Sequence, residues 1–412
     1  MFFLYSFFTH LLKIGLWIMT PFWSKLRRGW KGRKNLIAKL QKHINLSNET
    51  IWFHCASLGE FEQARPLIER VRKEFSHYHI LLSFFSPSGY EIMKNYDQAY
   101  YVCYLPIDTP KDMRRFIEIS RAVALILVKY EFWPNMISQA YKKSLPIYSI
   151  SAVFRKNQLF FKPYGKFMRN ILRKVTHFFV QEENSKLLLE SIGIKCVTIS
   201  GDTRFDRVIQ VKNSFNPLLS IEKFKDKQLL IVAGSTWPDD ERLLIQWIKT
   251  HEGKVKFLLA PHEVHPWRIA HLRSQLSTSH IMYSEMSNKD PEKCSVMILD
   301  CIGLLTRSYG SADIAYTGGG FQKSGIHNIL EAATFAIPVL FGPVHHKVIE
   351  AKALLQCKGA FAIDNIEDLT IKLDQLIKNH SLRNEMGRNA QKYVQDQRGA
   401  TEKNLRALKK KL

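Results

Sequence analysis

Short apolar runs alternate with amphipathic stretches along most of the chain. Residues 51–55, 80–84, 102–105, 123–128, 147–151, 178–180 and 197–200 each form a brief apolar block of strand length. Between several of them, as at 61–75 and 110–120, apolar residues recur at helical spacing. Continuous rather than alternating apolar strands are buried on both faces, so the pattern predicts a parallel sheet covered by helices. A polar, basic stretch at 210–227 interrupts it, and the pattern resumes at 229–233, 257–260, 296–299, 314–316 and 339–341. The expected fold class is therefore α/β, with two Rossmann-like, doubly wound domains facing across a cleft. Ligands bind there outside the carboxyl ends of the strands.

The expected segments are 1–45, 46–209, a linker at 210–227, 228–385, and a charged C-terminal helix at 386–412 that returns to the first domain. Residues 1–23, MFFLYSFFTHLLKIGLWIMTPFW, are apolar and aromatic, and SKLRRGWKGRK follows directly. A secretory signal carries its charge before the apolar core, whereas here the charge comes after it and holds the following chain in the cytoplasm. Ser6, Thr9, His10, Lys13 and Thr20 recur on one side at about helical spacing. This favours a helix lying in the membrane interface with Lys13 outward over one that spans the bilayer.

The 412 residues suit two domains, and an apolar fraction of 46% fills two cores. A formal charge of +23 calls for an anionic partner. Charge alone leaves nucleic acid, a phosphorylated metabolite and an acidic membrane surface open, but no nucleic-acid recognition motif is present. The six cysteines lack CxxC or metal-ligand spacing and read as reduced, buried thiols.

The densest chemistry lies at 317–343, TGGGFQKSGIHNILEAATFAIPVLFGP. Gly318, Gly319 and Gly320 follow an apolar strand, and Asn328 and Glu331 open a helix. Such glycines let backbone N–H groups approach a ligand, or simply allow tight packing. Glu331 either faces a sugar hydroxyl or joins Asn328 in a capping arrangement. Ser57-Leu58-Gly59-Glu60 stands between the first strand and a helix, where Glu60 is either a general base or a first-turn charge complementing the helix. Glu62 competes for the base role. Glu131, in Glu131-Phe132-Trp133-Pro134, projects into the cleft or forms a salt bridge. Arg204 grips an anionic group or pairs with Asp202 or Asp206. Gly234 and Ser235 end a strand with phosphate-binding potential. Pro261-His262-Glu263, with His265, lacks the helical HExxH spacing of a zinc site, so His262 is assigned to the nucleotide rather than to a metal. Residues 300–305 offer a rest for base or ribose.

Taken together, SLGE, EFWPN, GDTRFD, GST, PHE, IGLL and GGGF…HNILEAA…PVLFGP make the chain resemble the 3-deoxy-D-manno-octulosonic acid (Kdo) transferases over essentially its full length. The resemblance implies a GT-B fold and an inverting glycosyltransferase that moves Kdo from CMP-Kdo to a lipid A precursor. It further implies attachment to anionic lipids at the cytoplasmic face of the bacterial inner membrane, no nucleic acid partner and no metal cofactor. By position it makes Glu60 the base, with Glu131 and Arg204 stabilising the transition state. It assigns CMP binding to Pro261, His262, Ile302, Gly303, Leu304, Asn328, Ile329, Leu330 and Glu331, and the phosphate-binding loops at Gly234, Ser235, Gly319 and Gly320 complete the expected CMP-Kdo site. The family often has lysine at the position of Arg204, arginine at His262 and glutamate at Leu304, so here Leu304 offers only its backbone. Two rival readings are another GT-B enzyme using a UDP-sugar and a non-catalytic, membrane-tethered polyanion binder.

Overall fold

A computed structural model describes residues 1–44, 49–286 and 289–410. The expected boundary at 45–46 lies outside the described residues, as does Lys411. The chain divides into two compact units, Met1–Arg207 with Arg398–Leu412, and Val208–Gln397.

In the first unit seven parallel strands run in the order β3-β2-β1-β4-β5-β6-β7. They are β1 (Thr50–Cys55), β2 (His79–Phe84), β3 (Tyr101–Tyr104), β4 (Ala122–Val128), β5 (Ile147–Ala152), β6 (His177–Val180) and β7 (Val197–Ile199). Alternate residues of β1 enter different cores. Ile51, Phe53 and Cys55 pack on one face of the sheet, Trp52 on the other. Each such large side chain, fully buried, contributes about 1.5–3 kcal/mol, which is why these strands read as unbroken apolar runs.

The second unit has its own seven-stranded parallel sheet, β10-β11-β9-β8-β12-β13-β14. Its strands are β8 (Leu230–Thr236), β9 (Lys256–Pro261), β10 (His280–Met282), β11 (Val296–Ile298), β12 (Ile314–Thr317), β13 (Val339–Phe341) and β14 (Ala360–Ala362). Of these, β10 and β14 escape the hydrophobic pattern because a three-residue edge strand is too short to show a period.

Three expected details change. The stretch 210–227 is not a free linker. It holds the end of a helix, Thr203–Asn213, and a second helix, Leu219–Lys225. Ile221 and Phe224 are fully buried and Lys225 pairs with Asp313 at 2.8 Å, so it is packed into the second unit. The expected boundary at 385–386 falls inside the unbroken helix His380–Asp396. The return comes at Gly399, where Asp206 accepts the amides of Gly399 (2.7 Å) and Thr401 (2.6 Å) at the start of helix Ala400–Lys409. Third, of the cysteines only Cys55 and Cys103 are buried, and Cys196 is exposed.

The N-terminal helix α1 (Phe2–Met19) is long and apolar enough to cross a membrane. Its polar side is docked on the first unit. Tyr5 Oη donates to Asp108 (2.8 Å) and Ser6 Oγ to Asn135 (3.0 Å), Thr9 is buried, and Lys13 pairs with Asp112 at 2.6 Å. Lys13 thus lies on the docked side, away from the exposed apolar residues, where Asp112 offers it a counterion. Phe3, Leu4, Phe7, Phe8, Leu11 and Trp17 remain exposed on the helix.

Candidate active site

Both sheets reverse their strand order at one place, between β1 and β4 in the first unit and between β8 and β12 in the second. The loops leaving these strands diverge and leave a crevice, the usual ligand position in open α/β sheets. Nearly all the sequence-derived candidates fall on these loops or on those after neighbouring strands.

After β1 the chain turns at Ala56–Ser57 into helix α2 (Leu58–Glu74), with Ser57 at the N-cap. Glu60 lies in the first turn of α2, half-buried at the positive end of the helix dipole, and it accepts the Ser57 hydroxyl. Its competitor Glu62 is engaged by Arg207 (3.1 Å) and Arg65 (3.7 Å), so its charge is already matched.

Glu131 follows β4, beyond Lys129 in the left-handed region (φ 59°) and just before Pro134 opens the next helix. Its Oε2 accepts the Trp133 indole N–H at 2.7 Å, and His54 Nε2 from β1 stands 3.5 Å from the same oxygen. Burial alone would raise the Glu131 carboxyl, but His54 and Trp133 outweigh it and hold the group below the usual carboxylate range. Burial, then Glu60 and Glu131, push the buried Cys55 thiol well above its ordinary value. β1 and β4 pair side by side in parallel, so both carboxylates follow the same pole of the sheet, and burial above all keeps Cys55 neutral.

Arg204 begins the helix Thr203–Asn213 and grips Asp202, with Nε at 2.7 Å and NH2 at 2.6 Å from Oδ2. The ion-pair reading of Arg204 therefore holds in this state.

In the second unit β8 ends in Gly234-Ser235-Thr236, with Ser235 at φ 54°. A Cβ on Gly234 would meet Tyr309 Oη at 2.1 Å, so close packing demands glycine there. The triplet after β12 is equally tight. A Cβ on Gly318 would lie 2.4 Å from Ser235 O, and one on Gly320 2.4 Å from Gly342. Gly318 N–H donates to Gly234 O and Gly319 N–H to Asp240 Oδ2, both at 2.9 Å. Those two amides are engaged within the fold.

Asn328 precedes a helix of only four residues, Leu330–Ala333. Its Oδ1 accepts the Leu330 amide at 3.2 Å, while its Nδ2 donates to Glu331 Oε1 at 2.9 Å. Glu331 Oε2 accepts Thr306 Oγ1 at 2.5 Å. Burial first, then Glu331, raises the Tyr309 phenol, so Glu331 lies beside Tyr309, which covers Gly234. Ile329 and Leu330 are 1% exposed and can reach a ligand only through their backbone. Ile302 is 81% exposed, Gly303 takes φ 95°, and Leu304 caps helix Leu305–Tyr309.

Pro261 closes β9, and exposed His262 follows. The His262 ring stacks on Trp237 (4.8 Å) and on His327 (4.3 Å), and Trp237 Nε1 donates to His327 Nε2 at 2.8 Å. Burial and neighbouring His262 push His327 down to about 4. Sequence reasoning gave no part to His54, Trp237, Thr306 or His327. The one signal available was adjacency, since His54 and His327 stand inside HCASLGE and HNILE. Among the described residues no group of three or more His, Cys, Asp or Glu side chains is arranged to hold a metal.

Comparison with known proteins fits this geometry. Residues 28–207 match the family model described as 3-deoxy-D-manno-octulosonic-acid transferase (kdotransferase). The transferase of that name from Aquifex aeolicus is 30% identical over 336 residues, covering 79% of this chain and 86% of its own. The one from Haemophilus influenzae is 26% identical over 377 residues, covering 87% and 86%. A bifunctional glycosyltransferase/methyltransferase from Fusobacterium nucleatum is 26% identical over 383 residues, 90% of this chain but only 58% of that protein. Among solved structures, UDP-GlcNAc 2-epimerase from Neisseria meningitidis (15% identity, TM-score 0.61, covering 88% and 100%) and MurG from Acinetobacter baumannii (14%, 0.54, 88% and 99%) share the two-domain GT-B fold. On sequence, motif order and topology, the chain belongs to the 3-deoxy-D-manno-octulosonic acid transferase family.

Proposed function

We propose that this protein transfers Kdo from CMP-Kdo to a hydroxyl of a lipid A precursor, with inversion, at the cytoplasmic face of the inner membrane. The observation that carries the reading is the pair of carboxylates, Glu60 and Glu131, at the strand-order reversal of the first sheet. Glu60 takes the proton of the acceptor hydroxyl while its oxygen bonds to the anomeric carbon of Kdo. The bond from that carbon to the CMP phosphate oxygen breaks, its electron pair leaves with CMP, and attack from the opposite face inverts the centre. Glu131, held ionised, stabilises the positive character that develops on the sugar. Arg204 reaches the departing phosphate by exchanging Asp202 for it.

The second unit supplies the donor pocket: Gly234, Ser235, Gly319 and Gly320 at the reversal, Pro261 and His262, Ile302 to Leu304, and Asn328 to Glu331. CMP leaves readily as an anion, so fixed donors suffice and the reaction requires no divalent metal. An acylated acceptor finds support in a cavity of about 480 Å³ lined mainly by apolar residues of α1 with Phe85, Ile107 and Trp133. Trp133 also holds Glu131. The exposed apolar side of α1 and the +23 charge support attachment to an anionic membrane surface.

Incubating the protein with CMP-Kdo and a tetraacylated lipid A precursor, then weighing the lipid product, tests the reading. Mass gains in whole Kdo units are expected. Transfer from UDP-sugars alone would replace it.

A further inference from the structure

His54 is a histidine with a side chain wholly removed from solvent, on a strand whose other buried residues are almost all apolar. Buried polar groups cost several kcal/mol unless paired, so each of its nitrogens needs an account. Nδ1 lies 2.9 Å from Ser83 Oγ and 3.2 Å from Ser83 O on β2. Nε2 finds no hydrogen-bond partner within ordinary length among the described residues, and faces Glu131 Oε2 at 3.5 Å.

The hydrogen positions follow from the neighbours. Trp52 Nε1 donates to Ser83 Oγ at 2.7 Å, so the Ser83 hydroxyl proton is free to point elsewhere. Its choices are Phe53 O at 3.5 Å and His54 Nδ1 at 2.9 Å. Nε2 faces an ionised oxygen, so it carries a ring proton aimed at the carboxylate, whichever role Nδ1 takes toward Ser83. A ring without that proton would set a lone pair against the carboxylate. The contacts run Trp52, Ser83, His54, Glu131. Oε2 then receives two donors, His54 and Trp133, while Oε1 accepts from no protein group among the described residues.

Resting on the role given to Glu131 above, we propose that His54 is a positioning residue: it fixes Oε2 through Nε2–H and so presents Oε1 to the reacting sugar. The groups around it are few. Cys55 on the same strand stays neutral, Glu60 from α2 acts on that thiol, and Asp108, in the loop after β3, is electrostatically coupled to the ring. None of these replaces the missing proton donor.

The test compares His54→Asn, whose amide reaches Ser83 but stops short of Glu131, with His54→Gln, whose amide reaches the carboxylate. Turnover by His54→Asn should fall about 10–100-fold, the usual loss when a residue orienting an active group is removed. Its KM for CMP-Kdo should stay within about twofold, and the acidic limb of kcat should move to higher pH, since Glu131 loses the donor that favours its charge. His54→Gln should recover most of both. Ser83→Ala, which leaves β1 untouched, should shift the limb in the same direction if His54→Asn proves too unstable to assay. An unmoved acidic limb in these variants, or a loss in His54→Gln equal to that in His54→Asn, overturns the proposal. Glu131→Gln separates the two claims. If it transfers at the native rate, the role of Glu131 itself is wrong; if it is inactive while His54→Asn is normal, only the inference about His54 fails.

Discussion

The loop after β1 and the loop after β12 both leave their sheets where the strand order reverses, and they are made of opposite materials. After β1 the chain places side chains: Glu60 at a helix start, with His54 and Cys55 on the strand before it and Glu131 after neighbouring β4. A Cβ added to Gly59 there would meet nothing nearer than Ser57 Oγ at 3.8 Å. After β12 the chain places backbone. Gly318 and Gly320 are pressed against the ends of β8 and β13 and Gly319 against Gly325, and a Cβ on any of them meets another residue within 2.6 Å. The same topology thus presents carboxylates in one unit and close-packed backbone in the other.

The largest expected effect falls on the side-chain loop. Glu60→Gln should retain its fold and its affinity for CMP, measured by calorimetry, while transfer drops about 10²–10⁴-fold, the span of a lost general base. Native turnover would remove Glu60 from that role and leave the comparison without its first half. Next comes the donor side. Glu331→Ala breaks charge-assisted bonds with Thr306 and Asn328, and should weaken CMP-Kdo binding by about 1.5–3 kcal/mol with little change in turnover at saturation. Donor titrations that superimpose on those of the native protein would argue against the contact.

The glycines give the sharpest contrast. Gly320→Ala drives a methyl into the Gly342 backbone and should destabilise the second unit by about 1–3 kcal/mol or more. Gly59→Ala, in the open first turn of α2, should be neutral or stabilise by up to about 1 kcal/mol. Thermal unfolding of the two variants side by side decides it, and equal losses would erase the distinction.

The smallest effect concerns pH. His327 stays neutral in the fold down to about 4, because burial and His262 disfavour its charge and its Nε2 accepts from Trp237. The unfolded chain takes up that proton near pH 6.5. Unfolding therefore binds a proton between roughly pH 6.5 and 4, and the second unit should lose stability as pH falls through that window. His327→Asn should flatten this part of the pH profile, whereas an unchanged slope would assign it to other groups.

Much of this was legible before the structure. Twelve of the strands announced themselves as apolar runs, because a parallel strand covered on both faces must be apolar along its whole length. That Glu60, Glu131 and the glycine loops stand at strand ends was legible because loops at the carboxyl ends of strands carry polar residues that the core would reject. The polar stretch 210–227 misled, since between those bounds only Ile221 and Phe224 are buried, and Lys225 finds its partner Asp313 far along the chain.

The order of apolar blocks and the motifs between them were enough to establish two doubly wound units and the family. Local sequence encodes both, through burial of strands and the chemistry of the turns that follow. The tertiary structure alone decided which partner each polar group meets. His54 approaches Glu131 across 77 residues of chain, Thr306 holds Glu331, Asp240 takes the Gly319 amide, and Asp112 turns Lys13 inward. Such pairings depend on strand register and on which strands lie side by side, and no spacing along one chain reports a distance between two.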